Sequence, residues 1–430
     1  MELKVSPLVV LGVAAMGLQA QSPGTYLLRD ARIVRVSGPA IERGSVVVRN
    51  GLIEAAGPAV TPPPDAWVID CSGLTVYPGL IDALSYWGVP AANGRGGAAQ
   101  QTPAAGPEDR PLTLSWTKAA DQILPADRAI QTARDGGFTS AVAFPRGNIF
   151  SGQGSVINLA GDRAGQMVIA DSVAQLIALR TGGGRGFPGS LLGSIAYVRQ
   201  IYLDADHYKL AKAVYEKHPE GLRRPAYDRA LEGVLESSLV LLPAENAIEI
   251  ERMLALAREL KLKAVLYGAH EAWREVGLLK QANTPVLVSL KYPERARDAD
   301  PALDEPLRIL ELREKAPSAA GALAKANVKF AFYSDGVGNP RDLMRSVKKA
   351  IDAGLNPDDA LRALTLTPAE IYGVGNRIGS IDPGKIANLV VADGDLFSEK
   401  TKIKFVFVDG NKFEPLPEEL PARPGRGPAR

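Results

Sequence analysis

Three histidines and one cysteine are all the imidazole and thiol chemistry that this chain of 430 residues offers. His207 and His218 fall on or just beyond residues 191–216, whose periodicity predicts a long helix. Their neighbours Asp206, Lys217 and Glu220 mark a solvated face. His270 is placed differently. It follows Tyr267-Gly268-Ala269, where a strand-like run gives way to a helix-like one, and it could be a ligand, a general base or only a helix-start residue. Asp335 ends another strand-like run, and Glu245, Asn246, Glu271 and Lys291 stand at similar junctions. Carboxylates, an amide and an amine gathered at one mouth could bind a cation or a polar ligand. The same residue types are also ordinary helix caps. Cys71 stands alone, so it forms no intrachain disulfide, and a packing role in a strand-rich region is expected for it. The run Gly182-Gly183-Gly184-Arg185-Gly186 has no Lys-Ser/Thr after it and reads as a flexible loop rather than a phosphate cradle. A nucleophile-elbow signature is also missing.

The elements that must position these residues follow from the hydrophobic pattern. Residues 25–82 are strand-like: short β-rich runs at 26–28, 31–36, 45–48, 52–54, 66–70 and 74–77, with Asn50-Gly51 as a hairpin turn. Residues 91–110, rich in Gly, Ala, Gln and Pro, predict a mobile loop. From there strands and helices alternate. Strands are expected at 139–144, 156–159, 167–170, 239–242, 264–267, 286–290 and 329–333. Helices are expected at 116–135, 173–179, 191–216, 247–260, 271–281, 307–325, 340–353 and 356–372. Such alternation argues for a parallel sheet, and the count approaches a (β/α)8 barrel. Strands return at 387–391 and 404–408, the second followed by an Asp409-Gly410 turn. Strands before and after a barrel suggest one composite β-sandwich built from both ends of the chain.

Composition excludes some functions. Fifty basic and 48 acidic residues leave a formal charge of +2, and no basic run interleaved with aromatics appears, so no nucleic-acid partner is expected. At the N-terminus Lys4 precedes an apolar run over residues 5–18, followed by Gln19, Ala20 and Gln21. This is the pattern of a cleaved secretory leader of residues 1–20, interrupted by Pro7 and too short for a membrane span. A periplasmic or secreted protein, without a stable membrane span after cleavage, is the expectation. Residues 415–430 are rich in Pro and charge and read as a disordered tail. The expected domain plan is sandwich strands over 21–78, a barrel over 79–375, and the sandwich completed by 376–414.

Three segments resemble the amidohydrolase superfamily, specifically its imidazolonepropionase-like exported bacterial members. The first is Ser45-Val46-Val47-Val48-Arg49-Asn50-Gly51-Leu52-Ile53 leading to Pro78-Gly79-Leu80-Ile81-Asp82. The second is Phe332-Tyr333-Ser334-Asp335-Gly336. The third runs from Ala360-Leu361-Arg362-Ala363-Leu364-Thr365 to Ile378-Gly379-Ser380-Ile381-Asp382-Pro383-Gly384-Lys385-Ile386-Ala387-Asn388. The resemblance implies the barrel with its composite sandwich. It also implies a His-x-His pair, two further histidines, sometimes a carbamylated Lys or Glu, and one Asp around Zn²⁺ or a similar ion. The metal-bound water would lose its proton near neutral pH, and the Asp would carry that proton to the leaving nitrogen. In this sequence the His-x-His positions fall at Leu84 and Tyr86, the third near Pro243 and Ala244, and the fourth at Gly268. Only the Asp remains, as Asp335. The expectation is therefore no metal cofactor and a non-catalytic role, binding a small polar ligand or serving as the partner of an intact amidohydrolase-like subunit. The alternative is an active hydrolase of cyclic amides or dipeptides with a site rearranged around Asp335 and His270. A third possibility is a secreted scaffold with a closed barrel mouth.

Overall fold

Asn50 and Gly51 both take the left-handed backbone that a tight hairpin needs, with φ of 49° and 80°, and the strands around them start one of two large sheets. A computed structural model describes residues 24–90, 110, 112–180, 188–296, 298, 300 and 304–415. The expected leader, the loop at 91–109, the glycine run at 182–186 and the tail from 416 onward lie outside the described residues.

Strands β1 (Thr25–Ile33), β2 (Ile41–Arg49), β3 (Leu52–Gly57), β4 (Trp67–Asp70) and β5 (Thr75–Pro78) come from the N-terminal segment. Strands β14 (Leu389–Ala392), β15 (Ile403–Val408) and β16 (Asn411–Phe413) come from the C-terminal one. All eight form one sheet in the order β16-β15-β14-β5-β1-β2-β3, with β4 beside the first half of β1. The chain ends meet where β14 pairs with β5, Leu389 opposite Pro78 and Val391 opposite Val76. The sheet curls upon itself. Tyr26 on β1 and Phe407 on β15 are separated by two strands in the sheet, yet their rings stack edge to face at 5.1 Å. Cys71 is fully buried in this core, among Ile33, Val76 and Leu389, and burial first of all pushes its thiol up to about 11.

The second sheet holds β6 (Leu80–Ser85), β7 (Phe138–Ala143), β8 (Phe150–Asn158), β9 (Val168–Ile177), β10 (Val240–Ala244), β11 (Ala264–Gly268), β12 (Val286–Ser289) and β13 (Phe330–Tyr333), in sequence order. It is a nearly closed barrel. Alternate residues face the inside, where Ile81, Val142, Phe144, Leu241, Val265, Leu287, Ala331 and Tyr333 form one core. Their neighbours Leu242, Leu266, Val286 and Phe332 pack outward with the helices. At the seam β6 turns to other partners. Ile81 donates its N–H to the Leu364 carbonyl at 2.7 Å, and the Ser334 N–H reaches Asp82 Oδ1 at 2.9 Å. Tyr372 Oη donates to the Ala83 carbonyl at 2.7 Å.

Three expectations need correction. The barrel is mixed: β8 runs antiparallel to both β7 and β9, so no crossover helix joins these strands. Residues 173–179, expected as a helix, fall largely within β9. A short apolar run does not distinguish strand from helix, and here backbone pairing with β8 and β10 decides. The single helix expected over 116–135 is divided at Pro125 into a 3-10 turn, Ala119–Gln122, and a helix, Arg128–Asp135, capped by Asp127. Most other strands and helices lie within a few residues of their expected places. The long helix Leu191–Lys217 carries His207 and leads to His218, and both histidines are exposed. Among the described residues no helix is long and apolar enough to cross a membrane.

Candidate active site

Strand ends place the candidate residues. β10 ends at Ala244 and delivers Glu245, while β11 ends at Gly268 and delivers His270 and Glu271. Backbone bonds extend this pairing past both strands, from Ala269 N–H to the Ala244 carbonyl at 2.8 Å and from Glu271 N–H to the Glu245 carbonyl at 3.0 Å. β12 delivers Lys291, and β13 delivers Asp335, whose φ of 48° turns the chain sharply. Ser289 Oγ donates to Asp335 Oδ2 at 2.9 Å and tethers the carboxylate to β12. Burial first, then the nearby negative charges of Glu249 and Asp335, raise the pKa of Glu245, while Lys291 opposes them. Glu245, Asp335 and Lys291 are thus brought within electrostatic reach of one another.

Two of the other candidates are engaged elsewhere. Asn246 is the N-cap of the helix Ala247–Glu259, its Oδ1 accepting from Glu249 N–H at 3.0 Å. Glu271 is buried, and its Oε2 accepts the Ala247 N–H of the same helix at 3.0 Å. His270 is 9% exposed and its ring centroid lies 6.4 Å from that of Tyr292. A hydrogen bond with the Lys291 backbone orients the imidazole, and Nε2 finds no hydrogen-bond partner among the described residues. Burial lowers its pKa, with Asp335 pulling the other way, so the neutral ring is favoured at pH 7.

The residues that sequence reasoning missed are the tyrosines and Asp82. Tyr267 and Tyr333 meet edge to face at 6.2 Å inside the barrel end, and Tyr267 Oη donates to the Ile177 carbonyl at 2.9 Å. Tyr86 stands at the expected second imidazole position, and Arg146 stacks over its ring at 4.6 Å. Burial pushes all three phenols above their ordinary pKa, so they act as neutral hydrogen-bonding groups. Asp82 is almost wholly buried. Burial outweighs its bonds to Ser334 and Ser85 and brings its carboxyl to about 7, with Oδ2 left unpartnered among the described residues. The sequence had marked position 82 only as the end of a strand-like region and of the motif Pro78-Gly79-Leu80-Ile81-Asp82; burial of the carboxyl at the barrel seam is a tertiary fact.

With this geometry in view, comparison with known proteins is informative. The family model of the amidohydrolase family matches residues 235–412, from the strand that delivers Glu245 to the end of the composite sheet. The chain has the fold of an amidohydrolase of Thermotoga maritima MSB8, with a TM-score of 0.74 and 26% identity, covering 90% of this chain and 100% of that one. The chain belongs to the amidohydrolase superfamily. It is 26% identical over 399 residues to the amidohydrolase tasK of Hapsidospora irregularis, covering 85% of this chain and 39% of that protein. It is 27% identical over 190 residues to an adenine deaminase of Methanothermobacter thermautotrophicus, covering 39% of this chain and 34% of that enzyme. This amidohydrolase-superfamily chain therefore spans less than two-fifths of the length of these two curated relatives. A prolidase complexed with N-methylphosphonate-L-proline shares the fold, with a TM-score of 0.54 and 17% identity over 91% of this chain.

The superfamily implies a divalent metal, and the donors present do not fit one. Leu84 carries no donor atom, and Tyr86 is held neutral. Gly268 has φ of 109°, a conformation that side chains rarely adopt, and a Cβ there would lie 3.0 Å from Glu245 Cγ. An imidazole cannot simply be restored at that position. Among the described residues no group of three or more His, Cys, Asp and Glu is arranged to hold a metal ion.

Proposed function

We propose that this amidohydrolase-fold protein binds a small polar ligand at the mouth of its barrel, or serves there as the partner of an intact relative, and does not carry out metal-assisted hydrolysis. The observation that carries this reading is the backbone at Gly268, which disfavours any side chain where the resemblance requires a ligating histidine. Leu84, Tyr86 and Ala244 at the companion positions support it. Tyrosine hydroxyls, Asp335, Glu245 and Lys291 supply hydrogen bonds and opposite charges for a ligand with both polar and charged groups. The pattern of residues 1–20 supports export to the periplasm or beyond, and N-terminal sequencing of the exported protein, expected to begin at Gln21, tests it.

The deciding measurement is metal content after purification and equilibration with Zn²⁺. Well below one ion per chain is expected, and Asp335→Ala is expected to leave that value unchanged. Stoichiometric Zn²⁺ that disappears in Asp335→Ala would overturn the proposal. Turnover of hydantoins, lactams and dipeptides is expected to be undetectable.

One observation favours the second reading, an active hydrolase of such C–N bonds. The buried His270 imidazole, which burial favours as the neutral ring, keeps Nε2 without a hydrogen-bond partner among the described residues and lies within electrostatic reach of Asp335, as a proton acceptor there would need. Turnover that is independent of added metal and abolished by His270→Ala, with Asp335→Ala equally inactive, would establish it.

A further inference from the structure

The long helix Leu191–Lys217 is apolar on two opposite faces. Tyr197, Val198, Ile201, Ala205 and Tyr208 are buried against the body of the protein. Leu192, Leu203, Leu210 and Val214 are 77%, 51%, 66% and 53% exposed. Their spacings of 11, 7 and 4 place them within roughly 40° of one line at 100° per residue, on the side away from the buried set. An ordinary surface helix carries charge there. Here large aliphatic side chains form a stripe along a helix roughly 40 Å long.

We propose that this stripe is the interface between two copies of the chain, paired antiparallel about a two-fold axis at Leu203. In that register Leu192 meets Val214 of the second copy, Ala196 meets Leu210, and Leu203 meets itself. Charge selects the direction. Arg199 and Asp206 lie side by side along one border of the stripe, seven residues apart. An antiparallel pair sets each Arg199 beside the other copy's Asp206, whereas a parallel pair turns this border of the two copies to opposite sides of the seam and makes no such contact. Arg199 is already oriented by Glu259, with bonds of 2.5 and 2.9 Å, so it is held ready for a second carboxylate. Apart from the apolar run at residues 5–18, which cleavage of the expected leader would remove, the sequence has little else to cover the stripe. Residues 91–109 contain no large apolar side chain, and residues 416–430 contribute only Leu416 and Leu420. One helix face offers about 400 Å² per copy, half of the ~800 Å² typical of a stable partner, so the association is expected to be weak and reversible.

Sedimentation equilibrium of the full chain from about 1 to about 200 µM tests this, since a dimer of this size is expected to form in the micromolar range. Leu203→Glu and Asp206→Arg are each expected to weaken association at least about tenfold while circular dichroism is unchanged. Leu203→Cys should form an intermolecular disulfide under mild oxidation, with buried Cys71 not competing. Leu210→Cys should not, because the two copies of that residue would be ~21 Å apart along the axis. A monomer at every concentration, a dimer indifferent to Leu203→Glu, or equal cross-linking at both positions would overturn the proposal. So would a monomer whose Leu203→Cys thiol is shielded only while residues 5–18 are present, which would assign the stripe to that segment instead.

Discussion

Asp82 shows how one atom's surroundings set a residue's behaviour. Its Oδ1 accepts the Ser334 N–H across the barrel seam, and its Oδ2 has no partner among the described residues. With the carboxyl near 7 when folded and about 4 when unfolded, the folded chain binds the extra proton between those values. Stability is therefore present below about pH 4 and is lost as pH rises through about 7, by up to about 4 kcal/mol from this group alone. Asp82→Asn keeps an acceptor for Ser334 and carries no charge. The variant is expected to melt at higher temperature than the parent at pH 8, with the difference shrinking toward pH 4. Equal pH dependence in both proteins would show that the carboxyl is ionised in the fold at no cost. The local signal of Asp82 in the sequence was its place in Pro78-Gly79-Leu80-Ile81-Asp82, which spoke for a family but not for a buried acid. His270 was legible as a junction residue, yet its burial and unpartnered Nε2 come from the neighbouring strand ends.

Among the elements, the turn from the first sheet into β6 explains a motif. A Cβ at Gly79 would lie 2.0 Å from Thr139 Oγ1 and 2.4 Å from its Cγ2, so β6 and β7 approach too closely there for any side chain. Gly79→Ala is expected to lose about 1–3 kcal/mol in urea denaturation. Combining it with Thr139→Ala, which removes the two closest atoms, should recover part of that loss. A Gly79→Ala protein as stable as the parent would show that the two strands separate readily. Elements with strong local signals, such as the helix Ala247–Glu259 with Asn246 at its cap, were readable at their proper limits. β9 was not, because Val173, Ala174, Leu176 and Ile177 suit a strand or a buried helix equally well. The antiparallel course of β8 has no local signature at all, since strand direction is a property of the pairing.

At the scale of the whole molecule, the C-terminal strands complete what the N-terminal ones begin. Asn388 joins the two sheets: its Nδ2 donates to Ser140 Oγ at 2.9 Å and to Asn158 Oδ1 at 2.7 Å, and its Oδ1 accepts from Asp409 N–H at 2.8 Å. Truncation after residue 386 removes this joint and leaves the β5 edge and the Val76 core uncovered. Such a chain is expected to lose cooperative thermal unfolding and to aggregate, and a sharp calorimetric transition in it would refute the shared core. The sequence by itself determined the superfamily, the alternation of strands and helices and the scarcity of imidazole, because each is written in residue types and their spacing. Only the tertiary structure decided that the first sheet is one curled surface, that Glu271 serves the start of a helix 24 residues away in sequence, and that Asp82 lies buried at the seam. Those outcomes depend on which distant backbone groups pair and on how much water each side chain keeps, and neither is encoded at a single position.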